Sequence, residues 1–145
     1  MIYISNKGNL FGPNPQKENL PEYVDEAINA SFQVKVDLWV SDDRIFLGDG
    51  YPKYKIDLAW LTNRYLKLWI QCKNASAVSF MQEHDHFHYF WNYNDSITLT
   101  SLKYVWASPY HPAIKKSIVV SPNIIERDFS EYMGICSDFI ADFKK

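Results

Sequence analysis

The stretch that decides the fold is Gln33-Val34-Lys35-Val36-Asp37-Leu38-Trp39-Val40. Its valine and leucine side chains fall on one face, while Lys35 and Asp37 fall on the other, because successive side chains of a strand alternate. The stretch from Leu66 to Lys73 is divided in the same way, with Gln71 on its mixed face. Strands covered by helices are apolar on both faces. Polar residues on one face of two strands therefore predict a polar site or an exposed edge, and we favour the site.

Strand and helix patterns alternate through the first half of the chain. Ile2 to Ser5 predicts a first strand, and Arg44 to Gly48 predicts a hairpin partner for the deciding stretch. One helix is predicted to begin at Pro21, since proline suits a first helical turn. Two more are predicted after Asp57 and Asn74, whose side chains can cap helices. This alternation predicts parallel strand pairing.

The second half of the chain predicts strands with short links. The expected strands are Phe87 to Trp91, Tyr104 to Ser108, Ser117 to Ser121 and Gly134 to Ile140. Pro109, Pro112 and Pro122 fall between them and leave little room for helices. We therefore expect a shortened TIM-type (β/α) barrel, with helices mainly in the N-terminal half, as one domain over residues 1–145.

Composition excludes several classes of protein. The chain has 145 residues and a net charge of −2, which is typical of neither a disordered chain nor a broadly basic nucleic-acid binder. No apolar run approaches the roughly 20 residues of a membrane-spanning helix, and the first residues lack the pattern of a signal peptide. The two cysteines form neither a disulfide framework nor a zinc motif. The expected location is cytoplasmic.

Candidate site residues follow from the position of active sites in (β/α) barrels, at the carboxyl ends of the strands. Applied to this sequence, the rule collects Asn6, Lys7, Lys35, Asp37, Asp49, Gln71, Lys73 and Asn92. Lys7, Lys35 and Lys73 could converge there and bind phosphate, because ammonium groups bind phosphate as point charges. Structural ion pairing with Asp37 and Asp49 is the alternative.

Six segments carry a resemblance to a known family. They are Ile4-Ser5-Asn6-Lys7-Gly8-Asn9, Gly12-Pro13-Asn14, Glu18-Asn19-Leu20-Pro21-Glu22-Tyr23, Val36-Asp37-Leu38-Trp39, Leu47-Gly48-Asp49-Gly50 and Leu68-Trp69-Ile70. In order and approximate spacing they resemble the glycerophosphodiester phosphodiesterase family, whose fold is a phospholipase-C-like TIM barrel. The resemblance covers the first half of the chain and implies a metal-dependent phosphodiester hydrolase.

The catalytic positions implied by the resemblance are largely substituted. Asn6 and Asp49 stand where the family has histidines. Lys35 replaces a carboxylate of the family's Glu-x-Asp metal pair, so that Asp37 and Gln71 alone would make at most a weak Mg²⁺ or Ca²⁺ site. We therefore expect no cofactor and a pseudoenzyme that binds a small phosphate ester or other anion. An active hydrolase with a reduced site and a non-catalytic structural or interaction protein are the alternatives.

A histidine alternation forms a separate candidate. His84, His86 and His88 would share one face of a strand, and imidazoles bind transition metals. No further ligand at suitable spacing completes the set, which favours a solvated entry to the strand over a metal site. The sequence determines neither the ligand, the oligomeric state nor the pathway.

Overall fold

The strands of the computed structural model, which describes residues 1–123 and 127–144, belong to one curled sheet. In this part of the chain they are β1 (Ile2–Asn6), β2 (Gln33–Ser41), β3 (Arg44–Leu47), β4 (Tyr54–Ile56), β5 (Leu68–Cys72), β6 (Tyr89–Phe90), β7 (Ile97–Leu99), β8 (Val105–Ala107), β9 (Ser117–Val120) and β10 (Gly134–Ser137). The helices described are α1 (Pro21–Asn29), α2 (Leu58–Thr62), α3 (Ala75–Gln82) and α4 (Ile140–Phe143).

Parallel pairing organises the centre of the sheet. β1 lies between β2 and β10, β2 also pairs with β5, and all three pairings are parallel. The register places Ser5 beside Val34 and Asp37 beside Gln71. Strands β5 and β6, β10 and β9, and β9 and β8 are parallel as well. The predicted parallel pairing of the first strand, the deciding stretch and the Leu66–Lys73 stretch is therefore confirmed.

The predicted shortened TIM-type barrel is wrong. The described part of the chain forms a curled half-barrel sheet in which strands predominate and the four helices are short, with nine, five, eight and four residues. A TIM barrel needs a helix after each strand. Here the antiparallel strands β3, β4 and β7 occupy some of the connections, and the short links of the second half cannot hold full helices.

Local sequence signals explain where the helices begin. Pro21 opens α1. The Asp57 carboxylate accepts a hydrogen bond from the backbone N–H of Trp60 at 2.9 Å, and the Asn74 amide oxygen accepts one from the N–H of Ala77 at 3.0 Å. Each cap satisfies a backbone donor that would otherwise have no partner within the helix. These three predicted starts are confirmed.

The two faces of β2 face different surroundings. Its apolar residues Val34, Val36 and Leu38 are fully buried in a cluster that includes side chains of α1 and α3. Its polar face continues the side of the sheet on which Trp69 of β5 packs in a second cluster, with the strands β1, β6, β8, β9 and β10. Lys35 and Asp37 are both buried, so the polar face turns inward and not toward solvent.

Candidate functional site

The centre of the candidate site is an ion pair on the polar face of β2. The Lys35 ammonium Nζ lies 2.9 Å from Asp37 Oδ1 and 3.1 Å from Gln71 Oε1. The side chains of Lys35 and Asp37 are only 8% and 1% exposed. The parallel register of β2 and β5 brings Gln71 beside Asp37. An ammonium group has three N–H donors, and these two oxygens account for two of them.

Asn19 holds the other side of Asp37. Its amide nitrogen donates to Asp37 Oδ2 at 2.9 Å, and its amide oxygen accepts from the Asp37 backbone N–H at 2.9 Å. The backbone N–H of Asn19 also donates to the carbonyl of Lys7 at 3.0 Å. Asn19 has a φ of 68°, a left-handed conformation that asparagine tolerates better than most residues. This residue therefore fastens the loop after β1 onto β2.

Asp37 is held in its charged form. Burial by itself raises the pKa of a carboxyl group, but the Lys35 ammonium opposes it through charge and a hydrogen bond. The hydrogen bond from Asn19 and the charge of Lys7 act in the same direction. The pKa of Asp37 consequently lies below its ordinary value, and the site carries a fixed ion pair at neutral pH.

Lys7 is the second ammonium group of the site, and its side chain is more accessible than that of Lys35. Its Nζ lies 2.8 Å from Asp49 Oδ2 and 3.7 Å from Glu18 Oε1. Burial lowers the pKa of Lys7, but the hydrogen bond to Asp49 and the charges of Asp37, Asp49 and Glu18 outweigh it and leave the pKa above its ordinary value. The Lys7 side chain is 17% exposed, so it is the cation nearest to solvent in this cluster.

A set of carboxylate and amide contacts anchors the loop that carries Lys7. Asp138 Oδ1 accepts hydrogen bonds from the side-chain amides of Asn6 at 2.8 Å and Asn9 at 2.9 Å. The Asn9 amide also donates to Glu18 Oε2 at 3.0 Å and accepts from the Tyr23 hydroxyl at 2.9 Å. Burial and the nearby carboxylates of Glu18, Glu26 and Asp138 raise the pKa of Tyr23, which keeps that hydroxyl protonated. We call the residues joined by these contacts the strand-end network: Asn6, Lys7, Asn9, Glu18, Asn19, Tyr23, Lys35, Asp37, Asp49, Gln71 and Asp138.

Two further predicted site residues, Lys73 and Asn92, differ in their hydrogen-bond contacts with the strand-end network. The Asn92 carbonyl accepts a hydrogen bond from Gln71 Nε2 at 3.3 Å, which links the segment after β6 to the network. The Lys73 backbone N–H donates to the carbonyl of Leu38 at 2.9 Å. Within residues 1–123 and 127–144, no hydrogen bond or ion pair joins the Lys73 ammonium to the network. Of the three predicted lysines, Lys35 therefore contacts Asp37 and Lys7 contacts Asp49 and Glu18 within the network.

The predicted metal ligands do not fit a resident divalent cation. Asp37 Oδ1 and Gln71 Oε1 both accept hydrogen bonds from the Lys35 ammonium, which lies between the two oxygens that a metal would use. A divalent cation there would face a positive charge and would have one carboxylate to neutralise it. In the described residues, no group of three or more His, Cys, Asp or Glu side chains is arranged to hold a metal ion.

Asn6 and Asp49, the two positions that the resemblance implies for the acid and the base, both make side-chain contacts within the protein. Asn6 donates its amide N–H to Asp138 and has no titratable proton to exchange near neutral pH. The Asp49 carboxylate accepts a hydrogen bond from the Lys7 ammonium at 2.8 Å. The contacts of Asn6 and Asp49 are therefore with other residues of the network, whose N–H donors include the ammonium groups of Lys7 and Lys35.

The sequence analysis assigned no role to four members of the strand-end network: Asn9, Glu18 and Asn19, between β1 and α1, and Tyr23, in α1. Asp138 is a fifth member of the network to which the sequence analysis assigned no role. One signal could have pointed to Asp138, since it directly follows a strand, β10, that we had expected in the same sheet.

The three alternating histidines do not share a strand face, because β6 begins only at Tyr89. His88 is buried, and its Nε2 is hydrogen-bonded to the Thr100 hydroxyl at 2.6 Å. The centroid of its ring lies 4.0 Å from the centroid of the Trp69 ring. The rings of His84 and His86 lie 6.4 Å apart between centroids, in the turn before β6. Burial and the Lys116 charge lower the pKa of His88 to about 4, so this imidazole is neutral at neutral pH.

No protein-family model, curated protein or solved structure matches the chain.

None of the helices in residues 1–123 and 127–144 has the length and apolar character needed to cross a membrane. The two cysteines are buried, and burial raises the pKa of each thiol to about 12. Such thiols are not nucleophiles at neutral pH.

Proposed function

We propose that the chain is a non-catalytic protein, similar to the glycerophosphodiester phosphodiesterases, that binds a small phosphate ester or similar anion at the strand-end network. One observation carries the proposal: the Lys35 ammonium is fixed between Asp37 and Gln71. In the related chemistry a divalent metal would supply positive charge to the phosphate at this place. An immobile ammonium can supply part of that charge without the metal's ability to activate water.

The donors of the network support binding of an oxyanion. Lys35 uses two of its three N–H groups on Asp37 and Gln71. Lys7 presents a second, more accessible ammonium, which is paired with Asp49. Hydrogen bonds between charged donors and phosphate oxygens are about twice as strong as neutral ones. We therefore expect a phosphate monoester to contact these two cationic donors.

The same residues argue against hydrolysis. Cleavage of a phosphodiester needs a proton acceptor, a proton donor and stabilisation of the developing charge. Asn6 cannot accept a proton at neutral pH, and Asp49 is engaged as the counterion of Lys7. The site therefore supports binding and lacks the groups for turnover.

A scaffold role is the second candidate, and one observation favours it. Every buried side-chain nitrogen or oxygen in the described part of the chain has a hydrogen-bond partner. A network satisfied in this way stabilises a fold without any ligand. The two candidates differ in whether the network responds to an added anion, which can be measured directly.

The test is a titration of the ¹⁵N-labelled protein with glycerol 3-phosphate, followed by amide chemical shifts. We expect saturable shifts in β1, β2 and the loop after β3, with a dissociation constant on the order of 0.1–1 mM. Lys7→Met should abolish the shifts. Lys67→Met, which removes an exposed lysine just before the amino end of β5, is the matched control and should bind like the wild type. Shifts that do not saturate, or that survive Lys7→Met, would overturn the proposal in favour of the scaffold.

A further inference from the structure

The acidic partner of Lys7 differs from the other carboxylates of the strand-end network. The Asp49 side chain is 54% exposed, whereas Glu18 is 9% exposed and Asp37 is 1% exposed. Glu18 also accepts hydrogen bonds from the Asn9 side-chain amide and the Asn14 backbone N–H, and Asp37 accepts one from the Asn19 side-chain amide. The hydrogen bond that Asp49 accepts from Lys7, at 2.8 Å, is the contact that holds its carboxylate at the site.

The loop that carries Asp49 is fastened at both ends and open in the middle. Gly48 donates its N–H to the Asp37 carbonyl at 3.2 Å and accepts a hydrogen bond from Trp39 Nε1 at 2.8 Å. At the other end, the Lys53 N–H donates to the Leu47 carbonyl at 3.1 Å. Gly50, next to Asp49, has a φ of +80° and no atom within 4 Å of the place where a Cβ would lie. The Asp49 side chain can therefore leave Lys7 while the ends of the loop stay attached.

We propose that Asp49 is a built-in occupant of the anion subsite on Lys7, and that the phosphate group of the ligand replaces its carboxylate. This inference rests on the proposed function. A carboxylate oxygen and a phosphate oxygen accept the same charge-assisted hydrogen bond from an ammonium. The class of ligand that fits is a compact phosphate monoester, which can provide one oxygen to Lys7 and reach the remaining N–H of Lys35.

The exposure of the two ion pairs decides which of them a ligand can displace. Ion pairs open to solvent contribute little free energy, since water competes for both charges. Breaking the buried Lys35–Asp37 pair would leave an uncompensated charge. An anion therefore replaces Asp49 and leaves Asp37 in place. An internal competitor lowers the apparent affinity by the fraction of molecules in which the subsite is free.

Removal of the competitor tests the inference. With inorganic phosphate and glycerol 3-phosphate as probes, we expect Asp49→Asn to bind more tightly than the wild type, by up to about 5-fold, the upper end of the range for an exposed ion pair. Asp43→Asn removes one negative charge from the turn between β2 and β3, and it should leave the dissociation constant unchanged. In the wild type, phosphate should accelerate amide hydrogen exchange in residues 49–52, because the loop loses its contact with Lys7.

The outcomes separate this inference from the proposed function. Tighter binding by Asp49→Asn together with faster exchange in the wild-type loop supports the built-in occupant. Equal affinity of Asp49→Asn and the wild type would overturn it and leave the anion site standing. Equal gains in Asp49→Asn and Asp43→Asn would also overturn it, since net charge would then explain the effect. Failure of both the wild type and Asp49→Asn to bind either probe would overturn the proposed function itself.

Discussion

Lys35 and Asp37, two residues apart on one strand, form a 2.9 Å ion pair that is almost inaccessible to solvent. Neighbouring side chains on one face of a strand are close enough for this contact without any bend of the backbone. Lys35 thereby places its ammonium beside Asp37 and Gln71, the two predicted metal ligands. The following predictions depend on this pair and on the residues around it.

Replacement of the ammonium should destabilise the fold. Lys35→Met leaves the Asp37 carboxylate buried with Asn19 as its main remaining partner, and an uncompensated buried charge costs about 3–5 kcal/mol. Urea denaturation should show this loss in the free energy of unfolding. The double variant Lys35→Met/Asp37→Asn also removes the negative charge of Asp37 and should recover part of the lost free energy of unfolding. A double variant as unstable as the single variant would contradict the ion-pair explanation.

Divalent cations should bind poorly to the wild-type protein. The Lys35 ammonium contacts the oxygens of both Asp37 and Gln71, so that Mg²⁺ and Ca²⁺ would have to displace it. Calorimetry at neutral pH should detect no micromolar binding. The double variant Lys35→Glu/Gln71→Glu supplies two carboxylates beside Asp37 and should bind Ca²⁺ measurably. Micromolar binding by the wild type, lost in Asp37→Ala, would instead support an active metal-dependent hydrolase.

The wild-type protein should not hydrolyse glycerophosphodiesters above background. The four substitutions Asn6→His, Lys35→Glu, Asp49→His and Gln71→Glu are expected to restore cleavage only in combination and with a divalent metal, because catalytic groups act as a unit. Release of the alcohol can be followed by a coupled assay. Turnover by the wild type that disappears in Asp37→Asn would contradict the binding-only function.

Stability should decrease in mild acid because of His88. Its pKa is about 4 in the folded protein against an ordinary value of 6.5, so the folded state binds fewer protons than the unfolded state between these values. The contribution of His88 to the free energy of unfolding is therefore fully present above pH 6.5. It decreases by about 3 kcal/mol as the pH drops to 4. Urea denaturation at several pH values measures this slope.

Matched variants assign that slope to one histidine. His88→Gln removes the titrating group and keeps a side chain able to bond to Thr100, and it should flatten the dependence between pH 6.5 and 4. His86 is exposed in the turn before β6, so His86→Gln should leave the slope unchanged. An unchanged slope in His88→Gln would show that another group is responsible.

Local signals in the sequence predicted the positions of elements well. Pro21, Asp57 and Asn74 mark helix starts because each satisfies a requirement of the first helical turn itself. The Leu66–Lys73 stretch was predicted as a longer strand than is formed, since residues Tyr65–Lys67 form a 3₁₀ turn and β5 begins at Leu68. Ends of elements depend on neighbours in space, which the local pattern does not contain.

The candidate site was predicted in part. The proximity of Asp37 and Gln71 could be predicted, because parallel pairing of two recognisable strands aligns the ends of those strands. Asn19 and Asp138 could not, since their roles depend on contacts across 18 and 132 residues of sequence, with Asp37 and Asn6 respectively. A loop conformation such as that of Asn19 is fixed by the bonds it makes after folding.

The sequence by itself determined the alternation of strands and helices in the first half of the chain, the starts of three helices and the two different faces of β2. Each of these follows from the local pattern of the element itself. Only the tertiary structure decided that the sheet is a curled half-barrel and not a helix-covered TIM barrel. It also decided that Lys35 lies between Asp37 and Gln71 and that Asp49 reaches Lys7. Closure of a sheet and the pairing of charges depend on distances between residues far apart in the chain, which no local pattern specifies.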